Sequence, residues 1–246
     1  MKLCVPVSAP SGKEALRIMR EAAAVAELVE LRMDGIGDVP LATLLAGARS
    51  LPRPPAVVVT NRRRDEGGMR PPADGERPEE AERRRVDLLI DAVELGAEFV
   101  DIELATDERL RKALLAQLAR RGFRTSLIVS HHDFRRTPSL RRLKGIYDRC
   151  TDAGAAVVKV VTAAVRPEDN LRILELVAHA RRKCQPIVAF CMGEAGRVSR
   201  LAAPLLGTEF GFACLRTDEG SAPGQFTVEE MRRTLEILGG GKENKA

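Results

Sequence analysis

The sequence predicts an α/β protein, a single-domain (β/α)8 TIM barrel, and three observations favour this fold. Short apolar runs alternate with helical patterns along the whole chain, and eight such strand–helix units of about 30 residues can be counted. The strands are nearly continuous in apolar residues, as expected where helices cover the outside of a parallel sheet. Eight units in 246 residues match the strand count and the length of the barrel.

The individual elements follow from local patterns. Strands are expected over residues 2–9, 26–34, 55–61, 98–104, 124–133, 155–163, 186–193 and 209–216. A helical pattern follows each strand, and the first helix begins after Ser11, with Glu14 at capping-box spacing. A polar loop with Pro and Gly spans 62–77. We expect residues 1–240 to form the catalytic barrel and residues 241–246 to be a disordered tail.

A doubly wound open sheet is the alternative architecture. That fold usually has fewer strands, and its first turn carries a glycine-rich phosphate-binding sequence. The corresponding turn here reads "VSAPSGKEA", which does not contain the GxGxxG pattern.

Composition narrows the functional classes. Hydrophobic residues make up 44% of the chain, but with no Trp and one Tyr the core is expected to be aliphatic. The net charge of +5 is spread among interspersed acidic and basic residues, without the basic stripe and stacking aromatics of a nucleic-acid-binding protein.

The N-terminal apolar run is too short for a signal peptide or a membrane span. Five cysteines without a CxxC pair argue against a disulfide framework or a zinc site. We expect a soluble, reduced, cytoplasmic protein.

The stretch "DAGAAVVKVVTAAV" places Lys159 in the middle of a valine strand. Strand alternation puts Val157 and Val161 on its face and Val158 and Val160 on the other. The alternative to a functional role is a lysine whose stem lies in the core while its head reaches solvent at the strand end. An amine in a dry, aliphatic site tends to lose its charge, and a neutral amine attacks ketones and aldehydes to form a Schiff base.

Other candidate residues, all polar except Met192, also fall where strands end, and this is where barrel active sites gather. They are Glu30, Arg32, Arg62, Glu103, His132, Met192, Arg200, Ser221 and Gln225. Each arginine alone could belong to a surface ion pair. Three arginines at one barrel mouth favour an anionic or polyhydroxylated ligand, because the guanidinium fork matches a carboxylate. The stretch "SAPGQF" is either a plain turn or a lid that closes over substrate.

The stretch "SHHDF" ends the fifth strand with two histidines. They could be hydrogen-bonded strand-end residues, metal ligands or an acid–base group. Adjacent residues point to opposite faces of a strand and rarely share a metal ion. Imidazole titrates near neutrality, and a barrel sets the ends of strands five and six side by side, so the acid–base interpretation is favoured.

Taken together, six motifs resemble the type I 3-dehydroquinate dehydratases over nearly the whole chain. The motifs are "ELRMD" (30–34), "TNRRRDEGG" (60–68), "SHHDFRRTP" (130–138), "VVKVV" (157–161), "MGEAGRVSR" (192–200) and "SAPGQ" (221–225). The resemblance implies a (β/α)8 fold, usually dimeric, with no metal and no organic cofactor. It implies a carbon–oxygen lyase that dehydrates 3-dehydroquinate to 3-dehydroshikimate in the shikimate pathway of aromatic amino acid biosynthesis.

The same resemblance implies roles for individual residues. Lys159 would form the imine with the substrate ketone. His132 would take the proton from the carbon next to that imine and then protonate the departing hydroxyl. Glu66 would orient and polarise His132, and Arg200 would hold the substrate carboxylate. The remaining implied substrate contacts are Glu30, Arg32 and Arg62 at the ring hydroxyls, Met192 on the pocket wall, and Ser221 and Gln225 in the closing loop.

In two of the motifs, one residue must be chosen among identical neighbours. The pattern S-x-H-D-F selects His132, so His131 should point to the opposite face and be replaceable. Of the arginine cluster 62–64, only Arg62 fits, and Arg63 and Arg64 are expected to be solvated. Two other functions stay open: a Schiff-base aldolase acting on a sugar phosphate, and a basic RNA-binding protein.

Overall fold

The computed structural model of the chain describes residues 1–120, 124–216 and 224–238. Its strands are β1 Leu3–Ala9, β2 Leu28–Ile36, β3 Ala56–Thr60, β4 Phe99–Glu103, β5 Ser126–Asp133, β6 Val157–Ala163, β7 Ile187–Met192 and β8 Gly211–Phe212. Its helices are α1 Gly12–Val25, α2 Leu41–Arg49, α3 Pro78–Glu94, α4 Glu108–Leu118, α5 Leu140–Asp152, α6 Asp169–Arg182, α7 Arg197–Leu205 and α8 Val228–Leu238. Short 3-10 turns lie at Arg64–Glu66 and Glu194–Gly196.

The eight strands form one parallel sheet that curls into a nearly closed barrel. Each strand pairs with the next in sequence from β1 to β7, and β8 pairs with β1 on its free side. The seam between β7 and β8 is bridged by the backbone N–H of Glu209, which donates to the carbonyl of Ile187 at 2.8 Å. This order confirms the (β/α)8 barrel and contradicts the doubly wound sheet, which has two open edges.

The last strand is shorter than predicted. The pattern predicts a strand over 209–216, but only Gly211 and Phe212 pair with β1. Beyond them the chain turns towards α8, where the N–H of Cys214 donates to the carbonyl of Phe226 at 2.9 Å. The apolar run continues past the strand because Ala213 and Cys214 stay buried, and Cys214 is bridged to Thr227 just before α8.

The barrel has two apolar regions. The larger one lies between the strands and the helices and includes the outward-facing Val158 and Val160. The smaller one fills the floor of the lumen, and its members are Cys4, Leu28, Val58, Ile128, Val157, Val188, Phe210 and Phe212. The expectation of an aliphatic core holds for the outer region apart from Tyr147, and it fails for the lumen floor. Phe212 on β8 and Phe210 just before it both point inward, where their ring centroids lie 5.6 Å apart.

The first helix starts as predicted. The Ser11 hydroxyl accepts a hydrogen bond from the Glu14 N–H at 3.3 Å, which satisfies one of the exposed donors at the helix start. The Glu14 carboxylate accepts hydrogen bonds from Arg17 instead of completing a capping box. Across the described part of the chain, none of the helices has the length and apolarity needed to cross a membrane.

Candidate active site

The C-terminal end of the barrel gathers the polar strand residues. The register between β5 and β6 pairs Ser130 with Lys159 and His132 with Val161. The inward face of β6 therefore carries Val157, Lys159 and Val161 in succession, as strand alternation predicted. Lys159 lies above the apolar floor, and His132 lies one layer nearer the mouth on the neighbouring strand.

A cavity of about 100 Å³ opens at this mouth. Its walls include the predicted residues Glu30, Arg32, Arg62, Glu66, His132, Lys159, Met192, Arg200 and Gln225. Val161, which strand alternation placed on the face of Lys159, also lines the cavity. The further lining residues, which sequence reasoning did not single out, are Gly67, Phe134, Phe190 and Phe212. Ser221 lies outside the described residues. Nine of the ten predicted site residues thus surround one cavity, although they come from distant parts of the sequence.

The Lys159 head group is held inside the barrel by two carboxylates. The residue is 4% exposed, and its Nζ donates to Asp101 Oδ2 at 2.8 Å and to Glu30 Oε1 at 3.2 Å. It also lies 4.6 Å from the centre of the Phe212 ring. This arrangement contradicts the alternative in which the head reaches solvent. It also corrects the picture of a purely aliphatic setting, because inward-facing acids of β2 and β4 reach across the lumen to the amine.

Asp101 is the main residue that sequence reasoning missed. It is fully buried, and besides Lys159 it accepts hydrogen bonds from Arg62 at 2.7 and 3.1 Å and from Ser130 at 2.6 Å. Burial by itself would raise the pKa of Asp101, but the charges of Arg62 and Lys159 outweigh burial and hold that pKa well below its usual range. Asp101 is therefore a permanent anion beneath the amine. Its signal was the two-residue spacing to Glu103, which matches that of Glu30 and Arg32.

Arg62 makes more hydrogen bonds within the protein than its implied role as a substrate contact requires. Its Nη1 donates to Glu103 Oε1 and to Ser130 Oγ, each at 2.8 Å, in addition to the bidentate pair with Asp101. Burial disfavours this cation, but Asp101 and Glu103 outweigh the burial and raise the pKa of Arg62 well above its ordinary value. Arg62 lines the cavity and at the same time holds Asp101 in place beneath Lys159.

The ionic network continues to the outside of the barrel. Glu103 Oε2 lies 2.7 Å from Arg85 Nη1, and Arg85 bonds in turn to Glu82. Arg63 also bonds to Glu82, at 2.8 Å, and its N–H donates to Glu103. The expectation that Arg63 is solvated is therefore wrong, because acids of β4 and α3 face it. Arg64 is exposed, as expected.

His132 and Glu66 form a hydrogen-bonded pair. Glu66 Oε2 lies 2.9 Å from His132 Nδ1 and accepts the backbone N–H of the same residue at 2.9 Å. Burial, with a contribution from Glu103, raises the pKa of Glu66 to about 8. Burial and the charges of Arg62 and Lys159 hold the pKa of His132 well below its ordinary value. When Glu66 is ionised, Nδ1 must carry the proton, which leaves Nε2 as an unprotonated base.

The two histidines separate as predicted. His132 lines the cavity, whereas His131 lies on the outer side of β5, in a surface groove with Arg111 and Arg149. Burial and the charges of Arg149 and Arg142 lower the pKa of His131, which keeps it neutral in that groove. Only His132 is placed to act on a molecule bound at the barrel mouth.

Two arginines give the cavity its positive side. Arg200 is 3% exposed and lies with its guanidinium 4.5 Å from the centre of the Phe190 ring. Burial lowers the pKa of Arg200 to about 10, a value at which it stays charged at neutral pH. Arg32 reaches the mouth from β2 and is paired through two hydrogen bonds with Asp34. A cation buried beside an aromatic wall suits the carboxylate of a small substrate.

Among the residues that the structure describes, no group of three or more His, Cys, Asp or Glu side chains is arranged to hold a metal ion. The chemical groups at the mouth are an amine, a histidine–carboxylate pair and guanidinium cations. They suit proton transfer and covalent chemistry at a carbonyl group.

A parallel barrel with a buried lysine and a histidine–glutamate pair at its C-terminal mouth has the features of a (β/α)8-barrel enzyme. The family model described as "Type I 3-dehydroquinase" matches residues 3–242. The chain belongs to this family.

Individual proteins agree with the family match. The 3-dehydroquinate dehydratase of Desulfotalea psychrophila is 36% identical over 231 residues, which cover 94% of this chain and 95% of the relative. The crystal structure of the Geobacillus kaustophilus 3-dehydroquinate dehydratase superposes with a TM-score of 0.81 at 28% identity, covering 98% and 92% of the two chains. The type I enzyme of Clostridium difficile has a TM-score of 0.83 at 23% identity, over 96% and 91%, and supports the fold.

Proposed function

We propose that the protein is a 3-dehydroquinate dehydratase that works through a Schiff base on Lys159. The observation that carries this proposal is the meeting of a buried amine, a histidine–glutamate pair and a buried guanidinium around one small cavity. Family membership supports the substrate, and the geometry supports the order of chemical steps.

The first step is attack of the Lys159 amine on the substrate ketone. The ammonium must first lose a proton, and the two acceptors in contact with Nζ are Glu30 and Asp101. Asp101 is a weak base because its pKa is held low by Arg62 and Lys159. Glu30 therefore takes the proton. The amine then forms the carbon–nitrogen bond, and Glu30 returns the proton to the hydroxyl group of the resulting carbinolamine so that water leaves. The protonated imine carries the positive charge that Asp101 neutralises.

The second step is removal of a proton next to the imine. A ketone's α-proton is too weakly acidic for imidazole alone, but a protonated imine accepts the electron pair and becomes an enamine. His132 Nε2 takes the proton while Glu66 stabilises the imidazolium through Nδ1. General acid–base help of this kind is worth about 10²–10⁴-fold in rate.

The third step expels the hydroxyl group. The electron pair of the enamine forms the new carbon–carbon double bond as the carbon–oxygen bond breaks. His132 returns its proton to the departing oxygen, so that water leaves. Hydrolysis of the conjugated imine then releases the product and regenerates the Lys159 amine.

The cations and the mouth residues bind the rest of the substrate. Arg200 is the carboxylate partner, since its guanidinium is buried in the cavity wall. Arg32 and Glu30 face the ring hydroxyls, and Met192 packs against the ring. Gln225 lies at the cavity, and we propose that it closes over the substrate together with Ser221.

Turnover of dehydroquinate, followed by the absorbance of the conjugated enone product, tests this proposal. Cleavage of a sugar phosphate with no dehydroquinate turnover would indicate an aldolase instead. Steeply salt-dependent binding in a shift assay would indicate an RNA-binding protein. Dehydroquinate should also raise the melting temperature, because it binds the folded state alone.

Three further properties complete the proposal. We place the reaction in the shikimate pathway and in the cytoplasm, where reduced cysteines fit the five free thiols of the chain. We also propose a homodimer, since the region of α6 and α7 exposes the large apolar side chains of Val165, Leu171 and Val198. Light scattering of the purified protein measures the oligomeric state.

A further inference from the structure

We propose that Asp34 is a positioning residue that holds both the substrate-facing Arg32 and the loop that carries Glu66. The inference rests on the proposed function, because it assigns Asp34 an effect on the acid–base pair of that reaction. Asp34 does not line the cavity, and it acts through the residues that do.

Asp34 lies at the end of β2 with a fully buried side chain. Its two oxygens accept four hydrogen bonds. Arg32 donates from Nε at 3.0 Å and from Nη2 at 2.7 Å. The backbone N–H groups of Arg62 and Met69 donate at 3.1 Å each. Burial alone would raise the pKa of Asp34, but the paired Arg32 and the backbone donors lower it, so the carboxylate stays ionised.

The two backbone donors lie at opposite ends of one segment. Residues 62–69 leave β3, form the 3-10 turn Arg64–Glu66 and return to the barrel mouth. Asp34 therefore holds both ends of the loop that carries Glu66 through hydrogen bonds. Glu66 in turn bonds to Nδ1 of His132, so a displaced loop would move the partner that sets the protonation of the base.

The middle of the segment has little freedom once its ends are held. Gly67 has a φ of +88°, and a Cβ atom there would lie 2.5 Å from the Phe134 ring. A Cβ atom on Gly68 would lie 2.1 Å from the carbonyl oxygen of Arg62. Arg32 Nη2 also donates to the carbonyl of Gly67 at 3.2 Å. Arg32, Asp34 and the loop consequently form one unit in which the substrate-facing cation and the base-orienting acid share a support.

The first experiment compares Asp34→Asn in the wild-type and Glu66→Gln backgrounds. Asparagine replaces one accepting oxygen with an NH₂ group that faces donors, so both Arg32 and the loop lose partners. We expect kcat to fall by about 10²-fold, since small displacements of a catalytic group have effects of this size. KM should rise as well, because Arg32 is released. In the Glu66→Gln background, Asp34→Asn should change kcat by less than about twofold while KM still rises.

A matched pair of variants isolates the loop from Arg32. Met69→Pro removes the N–H that Asp34 accepts, whereas Met69→Ala keeps it. Met69 does not have a positive φ, which proline could not adopt. We expect Met69→Pro to lower kcat relative to Met69→Ala with little change in KM, and only when Glu66 is present. This pair tests the inference even if Asp34→Asn does not fold.

Hydrogen exchange across residues 62–69 provides a readout without turnover. Exchange there should be at least about tenfold faster in Asp34→Asn and Met69→Pro than in the wild type. Equal exchange, or a kcat loss of the same factor with and without Glu66, would overturn the inference. A wild-type protein that does not turn over dehydroquinate would contradict the proposed function alone, and hydrogen exchange would still test Asp34.

Discussion

Asp101 Oδ2 accepts hydrogen bonds from Lys159 Nζ at 2.8 Å and from Arg62 Nη2 at 2.7 Å, and all three side chains are buried in the barrel lumen. Lys159, which we propose as the nucleophile, therefore bonds to the buried anion Asp101, and Asp101 in turn bonds to the buried Arg62. This arrangement gives the protonated imine a counter-charge fixed before the reaction starts, and fixed charges of this kind are effective in a dry site.

Asp101→Asn should destabilise the fold as well as slow turnover. Removing one partner of a buried ionic network leaves the other charges unbalanced and costs about 3–5 kcal/mol. Urea unfolding at neutral pH measures the loss. Glu108→Gln, which breaks the exposed pair with Lys112, should leave the midpoint close to that of the wild type.

The contribution of Asp101 to the free energy of unfolding depends on pH in a defined way. Folding lowers the pKa of Asp101, so its stabilisation is present above the ordinary value of 3.8 and is lost as the pH falls through the folded value. The difference between wild type and Asp101→Asn should therefore be constant near neutrality and shrink in strong acid. A difference that grew on acidification would contradict the ionic role of Asp101.

The pH profile of kcat should report Glu66. Its pKa is raised to about 8 by burial and by Glu103, and the base requires the ionised carboxylate. Since ionisation increases as the pH rises, kcat should increase with pH through a midpoint near 8. Glu66→Gln cannot ionise and should lack this rise. An unchanged profile in Glu66→Gln would assign the rise to another group.

The two histidines provide a matched pair of substitutions. His132→Ala should lower kcat by about 10²–10⁴-fold, while imine formation on Lys159 persists. His131→Ala is the control, because its ring lies in the outer groove with Arg149. Steady-state turnover and mass spectrometry of the trapped imine measure the two steps separately. Equal losses in both variants would mean that the acid–base role is wrongly assigned.

Much of this architecture was predictable because it depends on short-range periodicity. Apolar runs and helical patterns predict eight units, and two-residue alternation turns Lys159 and Val161 inward without knowledge of any partner. The end of β8 was not predictable in the same way, since Cys214 is buried and bonds to Phe226 and Val228 at the start of α8 instead of to a neighbouring barrel strand. A local apolar pattern indicates that residues are buried, but it does not indicate which part of the chain covers them.

The sequence predicted which residues form the site better than it predicted the side chains to which they bond. Lys159 and His132 stand out because a lysine and a histidine are unusual in apolar strands. The two-residue spacing to Glu103 shows only that Asp101 shares a strand face with another acid. Its importance arises from Arg62, just after β3, and Lys159 on β6, which bond to it. Asp34 similarly gains its meaning from a loop that begins 28 residues later at Arg62. Long-range contacts of this kind have no local signature.

Reductive trapping tests the central claim most directly. Borohydride added together with dehydroquinate should inactivate the protein and leave one covalent adduct, located on Lys159 by peptide mass spectrometry. Lys159→Met should form no adduct and show no turnover while keeping its barrel fold by circular dichroism. Turnover without a trapped adduct, or an adduct on another lysine, would contradict the Schiff-base account.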